Sequence, residues 1–144
     1  KGLCAPVGSV LCGSKEFIDK CRRLRKLLGG GMRQAGVIAA AGIVALESMV
    51  DRLAKDHRRA RQLAEGLKRI PGLELTKGSP NTNMVFFRLA SQSELSVNEL
   101  ISRMKERGFL LMAPERDEIR LVTHHDINDH DIEAFLRTMR ETLV

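Results

Sequence analysis

The 144-residue sequence predicts an α/β fold made of two unequal parts. The first part carries apolar residues at the three- and four-residue spacing of helices, and the second alternates short strand patterns with helical ones. Hydrophobic residues make up 43% and charged residues 29% of the chain, which is the composition of a globular protein rather than a disordered one. Because aromatic residues are only 3%, we expect a core of aliphatic side chains.

The N-terminal segment predicts a loop, a possible buried strand and a first helix. Residues 1–13 are rich in glycine and small apolar residues, which favours a tight loop leading into a short buried strand around Val10. Ser14 is a suitable N-cap for a helix that continues to Leu28. Three consecutive glycines at 29–31 then end this helix.

A second helical pattern runs from Gln34 to about Leu67 and predicts one long connecting helix. Up to Leu46 the pattern is apolar nearly all round, so this part is expected to be buried on most sides. The later part is amphipathic. Because a helix that passes from buried to half-exposed usually joins two structural bodies, we predict a domain boundary between residues 1–48 and 49–144.

The remainder of the chain predicts a compact α/β unit. Pro71 ends the long helix. A capping box of Ser96 and Glu99 begins another helix, which Gly108 ends, and Asn128 caps the last one. Strands are predicted at four places with alternating apolar residues: 73–76, 83–89, 109–112 and 118–123.

The formal net charge of +6 raises nucleic acid as a partner, because basic patches gain affinity by releasing counterions from phosphates. Such a patch is more often a solvated helix face, and a compact phosphate ligand fits it equally well. With no Trp or Tyr to stack on bases, we expect no nucleic-acid partner and keep a basic nucleic-acid-binding module as a remote alternative. Much of the positive charge lies near the triple glycine, at Lys20, Arg22, Arg23, Arg25, Lys26 and Arg33.

Cysteine usage and hydropathy predict a cytoplasmic protein with no membrane partner. Cys4, Cys12 and Cys21 match neither a redox pair nor a zinc site, so we expect free thiols in a reducing compartment. The longest apolar stretch, Val37 to Leu46, is too short to cross a bilayer, and no secretory signal pattern is visible. Since the chain begins without methionine in sequence typical of a protein interior, we expect a piece of a longer protein.

Three histidines near the C-terminus raise the question of a metal site. His124, His125 and His130 lie close to Asp126 and Asp129 in the sequence. Neighbouring side chains on a strand point apart, however, and aspartate is expected at a helix N-terminus in any case. We therefore predict no metal, and we expect His124 at the rim of a pocket.

Arg120 is the strongest candidate for a binding residue in the C-terminal part. The strand pattern places Arg120 and Val122 on one face and the apolar residues between them on the other. An arginine on the buried side of a strand needs an anion, and its planar guanidinium suits a carboxylate. The alternative is a surface salt bridge to one of three nearby acids: Glu115, Asp117 or Glu118.

Three blocks carry a family resemblance: KGLCAPVGSVLCG at residues 1–13, RKLLGGGMRQAG at 25–36 and EIRLVTH at 118–124. In content and order they resemble three segments of the threonine aldolases, which are pyridoxal-phosphate-dependent enzymes of fold type I. The resemblance extends over essentially the whole chain. It implies the C-terminal portion of such an enzyme, comprising the end of the large cofactor-binding domain, the connecting helix and the small domain.

The same resemblance implies a role for four residues. Lys1 would be the catalytic lysine that forms an imine with pyridoxal 5′-phosphate, which requires an uncharged amine. Arg120 would bind the α-carboxylate of an amino-acid substrate. Lys26 and Arg33 would reach the cofactor phosphate from a neighbouring subunit of a homodimer or homotetramer.

The implied reaction is the cleavage of threonine or allo-threonine to glycine and acetaldehyde, a lyase reaction of amino-acid metabolism. The alternative is another fold-type I amino-acid lyase, either β-eliminating or acting on phenylserine. The acid that pairs with the pyridine nitrogen, the ring-stacking residue and the phosphate-binding turn cannot be placed on this chain. We therefore expect them in an upstream part of the same protein, and we expect the present segment alone to be inactive.

Overall fold

The computed structural model describes residues 2–6, 8–76, 78–112 and 117–143. The chain divides into two compact units, an N-terminal unit of Lys1–Asp51 and a C-terminal unit of Arg52–Val144. Within the described ranges the elements follow in this order: α1 Lys15–Leu27, α2 Gly36–Ser48, α3 Leu53–Lys68, β1 Leu73–Leu75, β2 Met84–Leu89, α4 Val97–Glu106, β3 Ile119–Val122 and α5 Asp129–Leu143.

The first helix of the N-terminal unit confirms its sequence prediction. The hydroxyl of Ser14 accepts a hydrogen bond from the backbone N–H of Phe17, at 3.3 Å, and so caps α1. At the other end Leu28 is the C-cap, and Gly29 follows at φ +82°. Glycine adopts that conformation without the steric cost that a side chain would add, so the glycines at 29–31 end the helix as predicted.

Two predictions for the N-terminal unit are wrong. Residues 8–14 form neither helix nor strand, and Val10 is exposed. A strand needs a neighbour to pair its backbone groups, and the described part of this unit contains no other strand. Helix α2 is not buried on most sides either, since Val37 is 82% exposed and Ala45 is the one described residue of this unit that is buried. An apolar helix is buried on every side only when other elements pack around it. The described part of this unit contains one other helix, α1, so most of α2 stays exposed.

The predicted long helix is in fact two helices. Helix α2 ends with the N–H of Met49 donating to the carbonyl of Ala45 at 3.0 Å, and α3 begins four residues later at Leu53. The residues between include Val50 and Asp51, both weaker helix formers than leucine or alanine, and the continuous apolar pattern concealed this interruption. The two units divide in the same break. Assigning residues 1–48 and 49–144 to two domains of a longer enzyme stays a prediction.

The C-terminal unit is built on a three-stranded antiparallel sheet in the order β1-β2-β3. On one face Val85, Phe87 and Ile119 are fully buried and belong to the core, together with side chains of α3, α4 and α5. The apolar stripe of α3 therefore packs as predicted. The opposite face, which we call the open face, carries the alternate residues of the strands: Glu74, Met84, Phe86, Arg88, Arg120 and Val122.

The helix caps of this unit also agree with the sequence. The side chains of Ser96 and Glu99 form the predicted capping box at the start of α4. These hydrogen bonds, the side-chain bond first, lower the pKa of the Glu99 carboxyl. Before α5, the N–H of Asn128 donates to Asp131 Oδ2 at 2.8 Å, and the N–H of Asp131 donates to Asn128 Oδ1 at 3.1 Å.

The strand predicted at residues 109–112 is not formed. Phe109 and Leu111 pack against the core while Leu110 and Met112 are exposed, so the alternation of burial is present without strand pairing. The N–H of Phe109 instead donates to the carbonyl of Met104, at 2.9 Å, in the turn that follows α4. The alternating pattern therefore predicted correctly which of these side chains face the core, but the strand that it also predicted does not form.

Breaking the ion pair between Arg52 and Asp56 is expected to destabilise the C-terminal unit by about 3 kcal/mol. Asp56 is fully buried and Arg52 13% exposed, and their two hydrogen bonds measure 2.7 and 3.0 Å. The variant Asp56→Ala leaves the arginine without its counter-charge in a largely dry position. The free energy of unfolding in urea measures the loss.

The matched control is Glu65→Ala on the same helix. Glu65 and Lys68 lie 3.9 Å apart and are both more than half exposed, so this change should alter stability by less than about 0.5 kcal/mol. Equal unfolding free energies for the Asp56 and Glu65 variants would show that the buried pair contributes no special stability.

Candidate functional site

The four residues predicted for the site do not all fall within the described part of the chain. Lys1 lies outside the described residues, as does Glu115, one of the alternative ion-pair partners of Arg120. Lys26 and Arg33 belong to the N-terminal unit, and Arg120 belongs to the C-terminal unit.

Arg120 lies in the middle of β3 with its side chain exposed on the open face. Its cross-strand partner is Phe86, whose side chain projects from the same face. The interpretation of Arg120 as an arginine on the buried side of its strand is wrong: the side chain is exposed on the face away from the core, because the apolar neighbours Ile119 and Leu121 occupy the core side. The helices of this unit pack on the other face of the sheet, so they would not cover an anion bound at Arg120.

The salt-bridge alternative for Arg120 finds no support among the described acids. The carboxylate of Glu118 accepts a hydrogen bond from the hydroxyl of Thr76, and no described carboxylate lies within 4 Å of the Arg120 guanidinium. Arg88, on the same face, provides a contrast because it pairs with Glu74 at 2.8 Å. Of these two arginines, Arg88 has a described carboxylate partner and Arg120 has none.

A cavity of about 240 Å³ adjoins Arg120 at the free edge of β3. Its walls are mostly apolar and come from β3, from the segment before it and from the helices beneath. The polar side chains at its edge are Arg120, Thr123 and Asp131.

The structure places Lys26 and Arg33 on either side of the glycine turn. Lys26 is in the last turn of α1 and its side chain lies over Gly31, where an added Cβ would lie 2.5 Å from Lys26 Cδ. Helix α2 then begins without a side-chain cap, which leaves its first amides available. Two exposed cations around such amides suit a phosphate group.

The sequence did not single out the residues that fix the end of β3. Thr123 is buried, and its hydroxyl donates to the carbonyl of Asp56 at 2.7 Å. The side-chain amide of Asn83 donates to the carbonyl of Thr123, also at 2.7 Å. These bonds tie the strand that carries Arg120 to α3 and β2. The available signal was Thr123 in the EIRLVTH block, whereas Asn83 marks only the start of a predicted strand.

The histidines and acids near the C-terminus make local contacts. His124 Nδ1 lies 3.6 Å from a carboxylate oxygen of Asp126 and accepts that residue's N–H. Asp129 accepts hydrogen bonds from Arg58, at 2.8 Å, and from Arg59, at 2.9 Å, which lower the pKa of the Asp129 carboxyl. Across the described ranges, no three histidine, cysteine or acidic side chains are grouped closely enough to hold a metal ion.

Cys4, Cys12 and Cys21 are free thiols, as predicted. None of the described helices has the length and apolar character needed to span a membrane.

Comparison with known proteins gives a consistent result. Residues 1–90 match the model of the beta-eliminating lyase family. The chain is 41% identical to a low-specificity L-threonine aldolase of Arabidopsis thaliana, over 100% of this chain and 40% of the relative. It is 42% identical to the low-specificity L-threonine aldolase of Escherichia coli K12, over 89% of this chain and 36% of the relative. The chain thus spans about two fifths of the length of these curated relatives.

Solved structures show the fold. A protein from Listeria monocytogenes, provisionally named an L-allo-threonine aldolase, superposes with a TM-score of 0.73 at 19% identity, covering 99% of this chain and 42% of that one. A lyase or threonine aldolase from Exiguobacterium has the same TM-score at 21% identity, again over 99% of this chain and 42% of that one. The predicted fold class, part of a fold-type I enzyme, is confirmed. From the match over residues 1–90 we conclude that the chain belongs to the beta-eliminating lyase family.

Proposed function

We propose that this chain is the C-terminal portion of a pyridoxal-phosphate-dependent lyase that cleaves threonine or allo-threonine to glycine and acetaldehyde. The observation that carries the proposal is Arg120 in the EIRLVTH block, which is exposed on the open face and has no described carboxylate partner within 4 Å. The names of the relatives from Arabidopsis and Escherichia coli support the substrate and the reaction.

The described residues fit the cofactor at its phosphate end. Lys26, Arg33 and the amides at the start of α2 offer positive charge and hydrogen-bond donors around a turn with little side-chain bulk. We assign Lys1 to hold the cofactor aldehyde, on the strength of the KGLCAPVGS block. When bound, pyridoxal phosphate supplies an electron sink for the charge that develops at Cα.

Arg120 would bind and orient the amino acid. Two parallel N–H···O bonds from its guanidinium hold a carboxylate in one plane, which a lysine ammonium cannot do. Thr123 and Asn83 keep β3 in position and so limit how far the guanidinium can move. The base that takes the β-hydroxyl proton is not assigned to any residue of this chain, and we place it in an upstream part of the same protein.

The N-terminal unit is where we expect the other parts of the enzyme to pack. Its apolar side chains are exposed along much of its length, including Val37, Ile43, Val44 and Leu46 of α2. Many exposed apolar side chains on one helix typically mark a surface that another part of the protein covers. We propose that the upstream part of the protein covers it, together with a second copy in a homodimer or homotetramer. Free cysteines support a cytoplasmic location.

The family description favours one other reaction, β-elimination from an amino acid such as serine, which releases pyruvate. Both reactions use the same lysine and carboxylate-binding arginine, so the products distinguish them. The test incubates the full-length protein and the cofactor with L-threonine, L-allo-threonine and L-serine. We expect glycine and acetaldehyde from the first two, and pyruvate at a rate at least about tenfold lower; pyruvate as the main product would contradict the aldolase assignment.

A further inference from the structure

We propose that Thr123 is a positioning residue for Arg120, because its buried hydroxyl holds the end of β3 against the first turn of α3. The inference rests on the proposed function, since it takes Arg120 as the residue that binds the substrate carboxylate. It goes further by making substrate affinity depend on a hydrogen bond on the opposite side of the sheet, where no substrate binds.

Strand β3 is held by a neighbouring strand along one edge. It pairs with β2 over its whole length, and no described strand pairs with its other edge. A strand with ladder hydrogen bonds on one side has half the backbone restraints of a central strand. Arg120 lies in the middle of β3, so the direction of its guanidinium depends on what else fixes the strand.

Thr123 supplies such a restraint directly after the last residue of β3. Its side chain is 1% exposed, and its hydroxyl donates to the carbonyl of Asp56 on α3 at 2.7 Å. The N–H of Thr123 donates to the carbonyl of Asn83 at 2.9 Å, and the side-chain amide of Asn83 donates back to the carbonyl of Thr123 at 2.7 Å. The end of β3 is therefore bonded both to the start of β2 and to the helix beneath the sheet.

The acceptor on α3 is itself firmly held. Asp56 is fully buried, and its carboxylate accepts two hydrogen bonds from the guanidinium of Arg52, at 2.7 and 3.0 Å. Asp56 thus bonds Arg52 through its side chain and Thr123 through its backbone. Because a two-bond ion pair fixes geometry as well as adding energy, the carbonyl that Thr123 bonds has little freedom to move.

The distance from Thr123 to Arg120 is short enough for the restraint to matter. Three residues of an extended strand span about 10 Å, so a shift or twist at the end of β3 also moves the guanidinium. Two parallel hydrogen bonds to a carboxylate require close alignment of both planes, and a displacement of about 1 Å can cost up to about 100-fold in rate.

A second buried threonine provides a matched control. Thr142 on α5 is 2% exposed, and its hydroxyl also donates to a helix carbonyl, that of Thr138, at 2.7 Å. Its other described hydrogen-bond partners are Arg107 and Met104, so none of these bonds reaches the sheet. Thr123→Val and Thr142→Val therefore each remove one buried hydroxyl from the same unit, and only the first removes a restraint on β3.

The variants are made in the full-length protein with pyridoxal phosphate bound. We expect Thr123→Val to raise the KM for L-threonine about fivefold to tenfold and to leave kcat within about twofold, because a carboxylate contact made before and during the reaction affects binding alone. Thr142→Val should leave both constants within about twofold. Thr123→Ser keeps the hydroxyl and should restore KM to within about twofold of the parent.

Equilibrium binding of L-alanine, measured by calorimetry, distinguishes the two ways of failing, because this ligand has the carboxylate but no hydroxyl to be cleaved. We expect Thr123→Val to weaken alanine about fivefold to tenfold and Arg120→Ala to weaken it more. If the parent cleaves no threonine but this pattern holds, the reaction is wrong and the positioning role stands. If Arg120→Ala has no effect on alanine, the carboxylate assignment fails and the positioning role fails with it.

Three results would overturn the positioning role alone. The first is a loss of alanine binding with Arg120→Ala but not with Thr123→Val. The second is an equal loss with Thr142→Val, which would show a general effect of destabilising the unit. The third is an equal loss with Thr123→Ser, which would mean that packing around Thr123 matters and its hydroxyl does not.

Discussion

Replacing Arg120 with alanine in the full-length protein is expected to lower kcat/KM for L-threonine by about 100-fold to 1,000-fold. Removing one partner of a hydrogen-bonded charge pair at an interface costs roughly 2 to 5 kcal/mol, and each 1.4 kcal/mol is a factor of ten. Arg120 is exposed on the open face and has no described carboxylate within 4 Å, so its donors are available to the substrate. Steady-state kinetics with threonine measure the loss.

Two further variants test whether the loss is specific to Arg120 and whether it depends on the guanidinium. Arg88→Ala removes an arginine from the same face whose charge is already paired with Glu74, and it should change kcat/KM by less than about threefold. Arg120→Lys keeps the charge but loses the two parallel bonds, so its activity should lie between those of the parent and the alanine variant. Equal losses for Arg88→Ala and Arg120→Ala would mean that Arg120 has no special role in binding.

The 144-residue chain on its own is expected to release glycine from threonine at less than about one thousandth of the rate of the full-length protein. It spans about two fifths of the related aldolases, and the described part of its N-terminal unit has a single buried residue, Ala45. Neither a cofactor ring site nor a base for the hydroxyl proton has been placed on it. Glycine release is measured with each protein at the same concentration of pyridoxal phosphate.

Adding a separately produced upstream fragment provides the control for this experiment. If the exposed apolar surface of α2 is where the upstream part packs, mixing the two pieces should restore cofactor absorbance and glycine release together. Full activity of the 144-residue chain without the upstream fragment would contradict the proposal that essential groups lie upstream.

The C-terminal unit was largely predictable because its signals are local. The capping box of Ser96 and Glu99, the cap at Asn128 and the apolar stripe of α3 act within a few residues, and each appears in the structure as expected. The prediction of a strand at 109–112 was wrong because alternation of apolar residues indicates only which side chains face the core. Backbone pairing depends on a neighbouring strand that a one-dimensional pattern does not specify.

The N-terminal unit was less predictable for a physical reason. Its apolar residues predicted a buried helix and a buried strand. Burial requires other elements to pack against these residues, and the described part of the unit contains only two helices. The apolar run across residues 37–46 also hid the helix break near Val50. The excess of exposed apolar side chains is consistent with a segment whose sequence is suited to a larger structure.

The candidate site was predicted in its parts but not in its arrangement. The strand pattern separated Arg120 from the apolar residues of β3, and the structure shows that this arginine faces the open side with Val122. Thr123 stood in a recognisable block, but nothing local indicated that it would bond to α3, that Asn83 would bond to the end of the strand, or that residues 109–112 would leave a cavity beside it. These features depend on contacts between distant parts of the chain.

Borohydride reduction tests most directly the proposal that Lys1 holds the cofactor. The full-length protein is incubated with pyridoxal phosphate, reduced, digested and mapped by mass spectrometry, with Lys26 as an internal comparison because it is proposed to contact only the phosphate. We predict loss of the visible absorbance on reduction and a single modified peptide in which the pyridoxyl group is on Lys1. An adduct on Lys26, on another lysine, or on none would contradict the assignment.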